Sequence, residues 1–163
     1  MRALGPDASV SNHPTLRGIL SPMGNSYHAL FNHFVWSTKN REPLINRDLR
    51  ERLYPYMGGI LRNIGGIEDH VHMLVKMHPS RAPAEVARIV KTNSSGWAHD
   101  ELKIGHFDWQ DSYSAFSVSK SGVDEVLRYL ANQEEHHKRV TYLDELKAFF
   151  TRQEIPFKPE YLK

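Results

Sequence analysis

Residues 67–77, IEDHVHMLVKM, constrain this chain more than any other stretch. The run is dense in Val, Leu, Ile and Met, is bounded by Gly and Pro, and reads as a strand. Side chains of a strand alternate between two faces, so His70 and His72 point the same way with their rings a few ångströms apart. Any sheet built on this strand must seat two imidazoles side by side. That is metal-ligand spacing: a neutral His pair with room for an oxygen ligand suits Mg²⁺, Mn²⁺ or Zn²⁺. Two ordinary half-buried histidines would leave the same pattern, so the reading depends on partners further along.

At 163 residues the chain has the length of one domain with one substantial core. Hydrophobic residues at 40% and charged residues at 25% are ordinary globular values. A formal charge of +2 means that a nucleic-acid partner would be held by a local basic face rather than by net charge. There is no Cys, which removes disulfides, thiolate metal sites and thiol nucleophiles, and fits a cytoplasmic protein. No apolar run approaches membrane length.

Residues 1–25 are rich in Pro, Ser, Gly and Asn without a period, and predict a mobile tail ahead of a single domain at 26–163. Residues 27–38 read as a central strand covered on both faces. Asn46 is placed to cap a helix carrying Leu49, Leu53 and Met57, with Pro55 awkward inside it. Between the glycine pairs 58–59 and 65–66, residues 60–64 are either the last turns of that helix or a short strand. Ser80 predicts the cap of a second helix starting near Pro83, with Val86, Ile89, Val90, Asn93 and Trp97 at helical spacing. Residues 109–119 read as another strand. Ser121 with Asp124 resembles a capping box for a helix bearing Val126, Leu127, Tyr129, Leu130, Gln133, His137 and Val140. A last amphipathic helix is expected over 142–152, with Pro156 and Pro159 ending regular structure. The order is β-α-(β)-β-α-β-α, an α+β fold with helices against a mainly antiparallel sheet.

Tyr129 and Gln133 are four apart and share a helical face. A surface stripe would look the same, but beside the His pair a Gln carbonyl oxygen can complete a three-ligand site with positions open for a substrate oxygen. Tyr129 then becomes the candidate nucleophile. A phenol ionises near pH 10 and needs a neighbouring metal or base to act.

Four blocks, HFVWSTKNREPLI, EDHVHMLV, VKTNSSGWAH followed by WQDSYSAFSVS, and RYLANQEEHH, occur in an order that resembles the single-tyrosine HUH transposases of insertion sequences and their repeat-associated tyrosine transposase relatives. The resemblance implies a ferredoxin-like, RRM-like antiparallel sheet of the HUH endonuclease type, with the paired ligands on His70 and His72, the nucleophile on Tyr129 and the third ligand on Gln133. It implies a DNA nickase and strand transferase acting on single-stranded DNA through a 5′-phosphotyrosine, with Mg²⁺ or Mn²⁺. Hairpins at element ends would be its DNA, and a homodimer its active form, in many members with the tyrosine helix completing the partner's site. One departure stands out: the family usually has an additional edge strand before the His strand, and here only residues 58–67 are available for it.

Candidates for phosphate contact are Lys39, Arg41, Lys76, Lys91, Ser94 and Ser95, with Trp97 or Trp109 as base platforms if exposed. A histidine-triad hydrolase would want a third alternating His where the chain has Leu74. A purely nucleic-acid-binding module on the same fold, inactive or domesticated, would need none of Tyr129, His70 or Gln133. A hydrolase using activated water would turn over without a covalent adduct.

Overall fold

A computed structural model describes residues 27–58 and 63–158 of the chain. Its centre is β1 (Phe31–Ser37), flanked by β3 (His70–Lys76) and β4 (Ser114–Val118), with β2 (Ile64–Gly66) outside β3. The order β2-β3-β1-β4 is antiparallel throughout and is that of a ferredoxin-like sheet. The register sets Val35 opposite His72 and Ser37 opposite His70. Alternation then sends Phe34, Trp36, Val71 and Met73 to one face, and His33, Val35, His70 and His72 to the other.

α1 (Arg47–Gly58) and α2 (Pro83–Asp100) cover the apolar face. Asn46 caps α1 as its sequence predicts, with Oδ1 accepting from Leu49 N at 2.9 Å, and Leu49, Leu53 and Met57 are buried a turn apart. The helix runs through Pro55 to Gly58. At α2 the expected cap differs: Ala82 occupies the position, and the Ser80 hydroxyl hydrogen-bonds His78 Nδ1 instead.

α3 (Val123–Ala131), α4 (Gln133–His137) and α5 (Tyr142–Arg152) lie on the His-bearing face. The single helix expected from residue 121 through Val140 is therefore two, broken at Asn132, whose φ of −107° and ψ of 18° leave the α region. Its start also differs, since Ser119 rather than Ser121 accepts the Gly122 N–H of a short 3₁₀ turn before α3. The strand expected over 109–119 shortens to Ser114–Val118, with Trp109 making an isolated bridge to Thr38. Between that bridge and the strand, the Lys91 ammonium donates to the carbonyls of Gln110, Asp111 and Ser112 at 2.9, 3.3 and 2.6 Å.

The additional edge strand forms at Ile64–Gly66. Ile60, in the segment expected to supply it, lies outside the described residues, as do residues 1–26 and Pro159. Gly65 and Gly66 give this short strand its value. A Cβ on Gly65 would overlap the Leu130 carbonyl, so the missing side chain lets α3 lie directly on the sheet edge, while Gly66 adopts φ 140°, accessible mainly to glycine. Among the described residues no helix is long and apolar enough to cross a membrane.

Candidate metal and nucleophile centre

His70 and His72 do share a face, both fully buried, with ring centroids 5.0 Å apart. Each ring is held from behind. His70 Nδ1 lies 2.7 Å from Asp69 Oδ1. Burial would raise Asp69, but hydrogen bonding and charge from His70 outweigh it and hold the carboxyl below its ordinary value, so Asp69 accepts and the His70 proton sits on Nδ1. His72 Nδ1 lies 3.0 Å from His33 Nε2. Burial pushes His33 down to about 3, with a further push from His72, and brings His72 to about 4 against the opposing pull of Glu145. The His33 and His72 imidazoles are neutral near pH 7, as ligation requires.

The helical layer brings up the rest. Tyr129, on α3, donates its hydroxyl to Glu145 Oε1, and Glu145 comes from α5. The other oxygen, Oε2, lies 3.0 Å from His72 Nε2 and 3.9 Å from His70 Nε2. His136 Nε2 and His137 Nε2 approach Oε1 at 3.3 and 3.5 Å. Burial alone would raise the Glu145 carboxyl, yet its contacts with His137 and His72 hold it far below the ordinary range. Burial and then the Glu145 charge push the Tyr129 phenol well above its ordinary value. Tyr129 is therefore a neutral phenol near pH 7, its hydroxyl donated to Glu145.

Gln133 is buried, and its Oε1 accepts from His137 Nε2 at 3.0 Å. His137 Nδ1 donates to the Val140 carbonyl at 2.8 Å, so both ring nitrogens act as donors and the ring favours its charged form. Glu145 raises the His137 pKa over the opposing effect of burial. Arg50 pairs with Glu134 and ties the start of α4 to α1, beside a cleft of about 730 Å³ that Arg47, Lys138 and His137 also line.

The donors fit a divalent cation. The nearest ligand atoms of His70, His72, His137 and Glu145 all lie within 4.8 Å of one another, and of these the imidazolium of His137 has no lone pair to give, which leaves His70, His72 and Glu145 as the donor set. His70 Nε2, His72 Nε2 and Glu145 Oε2 are buried without a hydrogen bond of good geometry, which is costly unless something else bonds them.

Glu145 escaped the sequence reading because YLDELKAFF looks like an ordinary amphipathic helix. The available signal was its place in the inward stripe of Tyr142, Leu146 and the half-buried Phe149, where a carboxylate is out of character. His33 could have been found from its period-two relation to the buried Val35.

The predicted phosphate contacts divide by face. Arg41 lies over the Tyr142 ring at 5.9 Å, and that ring packs on His70 with centroids 4.6 Å apart. Lys39 is exposed and pairs with Asp108 at 3.2 Å; Lys76 is exposed at the end of β3. Lys91, Ser94 and Ser95 are on α2, across the sheet from the His pair, and Ser94 is buried with its hydroxyl on Val90 O and Trp109 Nε1. Trp109 belongs to the core, and Trp97 stacks on Tyr56 at 4.7 Å.

Residues 26–133 match the family described as "Transposase IS200 like". The chain is similar to a crystal structure from Deinococcus radiodurans R1 assigned as a transposase, at 20% identity and a TM-score of 0.52 over 70% of this chain and 98% of that one. It is also similar to a REP-associated tyrosine transposase bound to a REP hairpin, at 13% identity and a TM-score of 0.50 over 74% of this chain and 76% of that one. At these identities the likeness establishes the fold alone. The chain matches no curated protein sequence.

Proposed function

The chain belongs to the IS200-like transposases, and from that premise we propose that it nicks and rejoins single-stranded DNA through a 5′-phosphotyrosine on Tyr129. The observation that carries this reading is the convergence of the Tyr129 hydroxyl and the free Nε2 atoms of His70 and His72 on one buried carboxylate. A nucleophile and a cation nest joined in this way suit displacement at phosphorus.

His70 and His72 would hold Mg²⁺ or Mn²⁺, with Gln133 as the oxygen ligand that the family resemblance implies. When bound there, a divalent cation would supply positive charge at the phosphate under attack. Tyr129 Oη forms a bond to phosphorus as the bond from phosphorus to the 3′-oxygen breaks. The phenol gives up its proton and the departing 3′-oxygen gains one. Attack by a second 3′-OH reverses the step, so the energy of the ester is retained and no nucleotide is consumed.

Arg41 is the predicted phosphate contact nearest the centre, with Lys39 and Lys76 serving flanking nucleotides. Lys91, Ser94 and Ser95 would meet only DNA that wraps to the other side of the sheet. Hairpin DNA is the expected substrate, by analogy with the hairpin-bound relative. The family resemblance also implies a homodimer, although every group named here comes from one chain.

Tyr129→Phe tests the reading. Incubated with 3′-labelled single-stranded hairpins and Mn²⁺, the parent should form a labelled covalent protein-DNA adduct on a denaturing gel. Tyr129→Phe should lower its rate by about 10⁴-fold or more while retaining DNA binding. An adduct formed at the parental rate would place the nucleophile elsewhere.

A further inference from the structure

We propose that Glu145 is an oxygen ligand of the metal site, contributed by α5 from outside the motif blocks, and that cation binding there locks α5 onto the sheet. The proposal rests on the reading of His70 and His72 as ligands and adds to it the element that closes their site.

The placement of Glu145 is the first reason. Its neighbours in α5 behave as surface charges: Asp144 and Lys147 pair at 3.6 Å in solvent. Glu145 instead points inward with Tyr142 and Leu146 and is 3% exposed. An anion in that position is expensive to desolvate and persists only with compensation. The imidazoles facing it supply part, but Oε2, although 3.0 Å from His72 Nε2, makes no hydrogen bond of good geometry. The same holds for the two nitrogens it faces, His70 Nε2 and His72 Nε2. A cation among these three atoms bonds all of them at once.

The second reason is what the rest of the centre is already doing. Asp69 and His33 occupy the Nδ1 atoms behind the paired rings, leaving both Nε2 atoms toward Glu145. The Gln133 oxygen is turned to His137. Glu145 Oε1 accepts the Tyr129 hydroxyl. One carboxylate thus spans the ligand nest and the nucleophile, so Glu145 acts also as a positioning residue that fixes where the phenol oxygen sits relative to the cation.

The third reason is mechanical. Apart from Glu145, α5 is seated by apolar contacts, with Tyr142 and Leu146 buried against Val35 and Phe116 and the half-buried Phe149 stacked on Phe116. A bond from its midpoint to a cation held by β3 adds a cross-link between sheet and helix. Docking of α5 and metal affinity must then reinforce each other.

The test uses Mn²⁺ alone with the full chain. Free Mn²⁺ is titrated by its EPR signal against the parent, Glu145→Ala, Glu145→Gln, Gln133→Ala and His70→Ala, each checked for helix content by circular dichroism. Glu145→Gln keeps the shape of the side chain and guards against a loosened helix. Both Glu145 variants should weaken Mn²⁺ binding by about tenfold or more, at least the loss typical of a residue that merely supports a ligand. Trypsin cleavage after Lys147 and Arg152, both in α5, should slow on adding Mn²⁺ to the parent and stay unchanged in the Glu145 variants. A smaller loss of affinity, or Mn²⁺ protection of α5 that survives in both variants, overturns the proposal and leaves the His pair as ligands. Failure of the parent to bind Mn²⁺, or binding unaffected by His70→Ala, would remove the metal reading itself.

Discussion

The two faces of one sheet divide the work of this protein. On one face Phe34, Trp36, Val71 and Met73 meet Leu53, Met57, Val86 and Val90 in the larger core. On the other, the same strands present His33, His70 and His72 to a thinner layer of three helices. Both faces exclude water, but for different reasons. The first gains free energy roughly in proportion to the apolar area it hides. The second holds imidazoles and a carboxylate at a cost in solvation, offset by the first. A one-residue slip in register would exchange the two sets, so the apolar face also fixes where the imidazoles point.

Removing the apolar support should have the largest effect on stability. Trp36 is fully buried and meets Trp109 edge to face at 6.1 Å. Trp36→Ala should cost about 3–5 kcal/mol in urea unfolding. A loss below about 1 kcal/mol would contradict the division of labour between the faces. An intermediate effect is expected at the seam. Gly65→Ala forces a methyl against the Leu130 carbonyl and should cost about 1–3 kcal/mol while lifting α3 from β2. Because Tyr129 adjoins Leu130, adduct formation should fall further than the remaining folded fraction accounts for, with hairpin binding retained. Equal losses of fold and of adduct would mean that the seam does not position the nucleophile.

The smallest effect is one of pH. His33 and His72 have folded values near 3 and 4, below the ordinary 6.5. Between pH 6.5 and about 4 the unfolded chain therefore binds more protons than the folded one, so stability is fully present above pH 6.5 and declines as pH falls. His137, whose value is raised, acts in the opposite sense around and above 6.5. His33→Phe removes one of the two depressed groups from among the rings of Phe116, Phe149 and Tyr129. The fall in melting temperature from pH 7 to pH 4.5 should become shallower. An unchanged slope would assign the acid sensitivity to other groups.

Much of this was legible in the chain. Period-two alternation alone determined that His70 and His72 share a face, because a pleated strand allows nothing else. Local capping chemistry likewise determined where α1 begins, at Asn46. The spacing of Tyr129 and Gln133 put both on the helical layer, although the break at Asn132 was invisible, since no Pro or Gly marks it. What only the tertiary structure decided lies at contacts between elements far apart in sequence. Lys91 holds the segment ahead of β4 by drawing on the carbonyls of Gln110, Asp111 and Ser112, contacts that no local rule registers. Gly65 reads as a turn residue until α3 lies against it. Glu145 reads as one more surface charge until α5 folds back over β3, because a side chain's partners across a sheet depend on how whole elements pack, whereas strand alternation and helix capping are set by the backbone within a few residues.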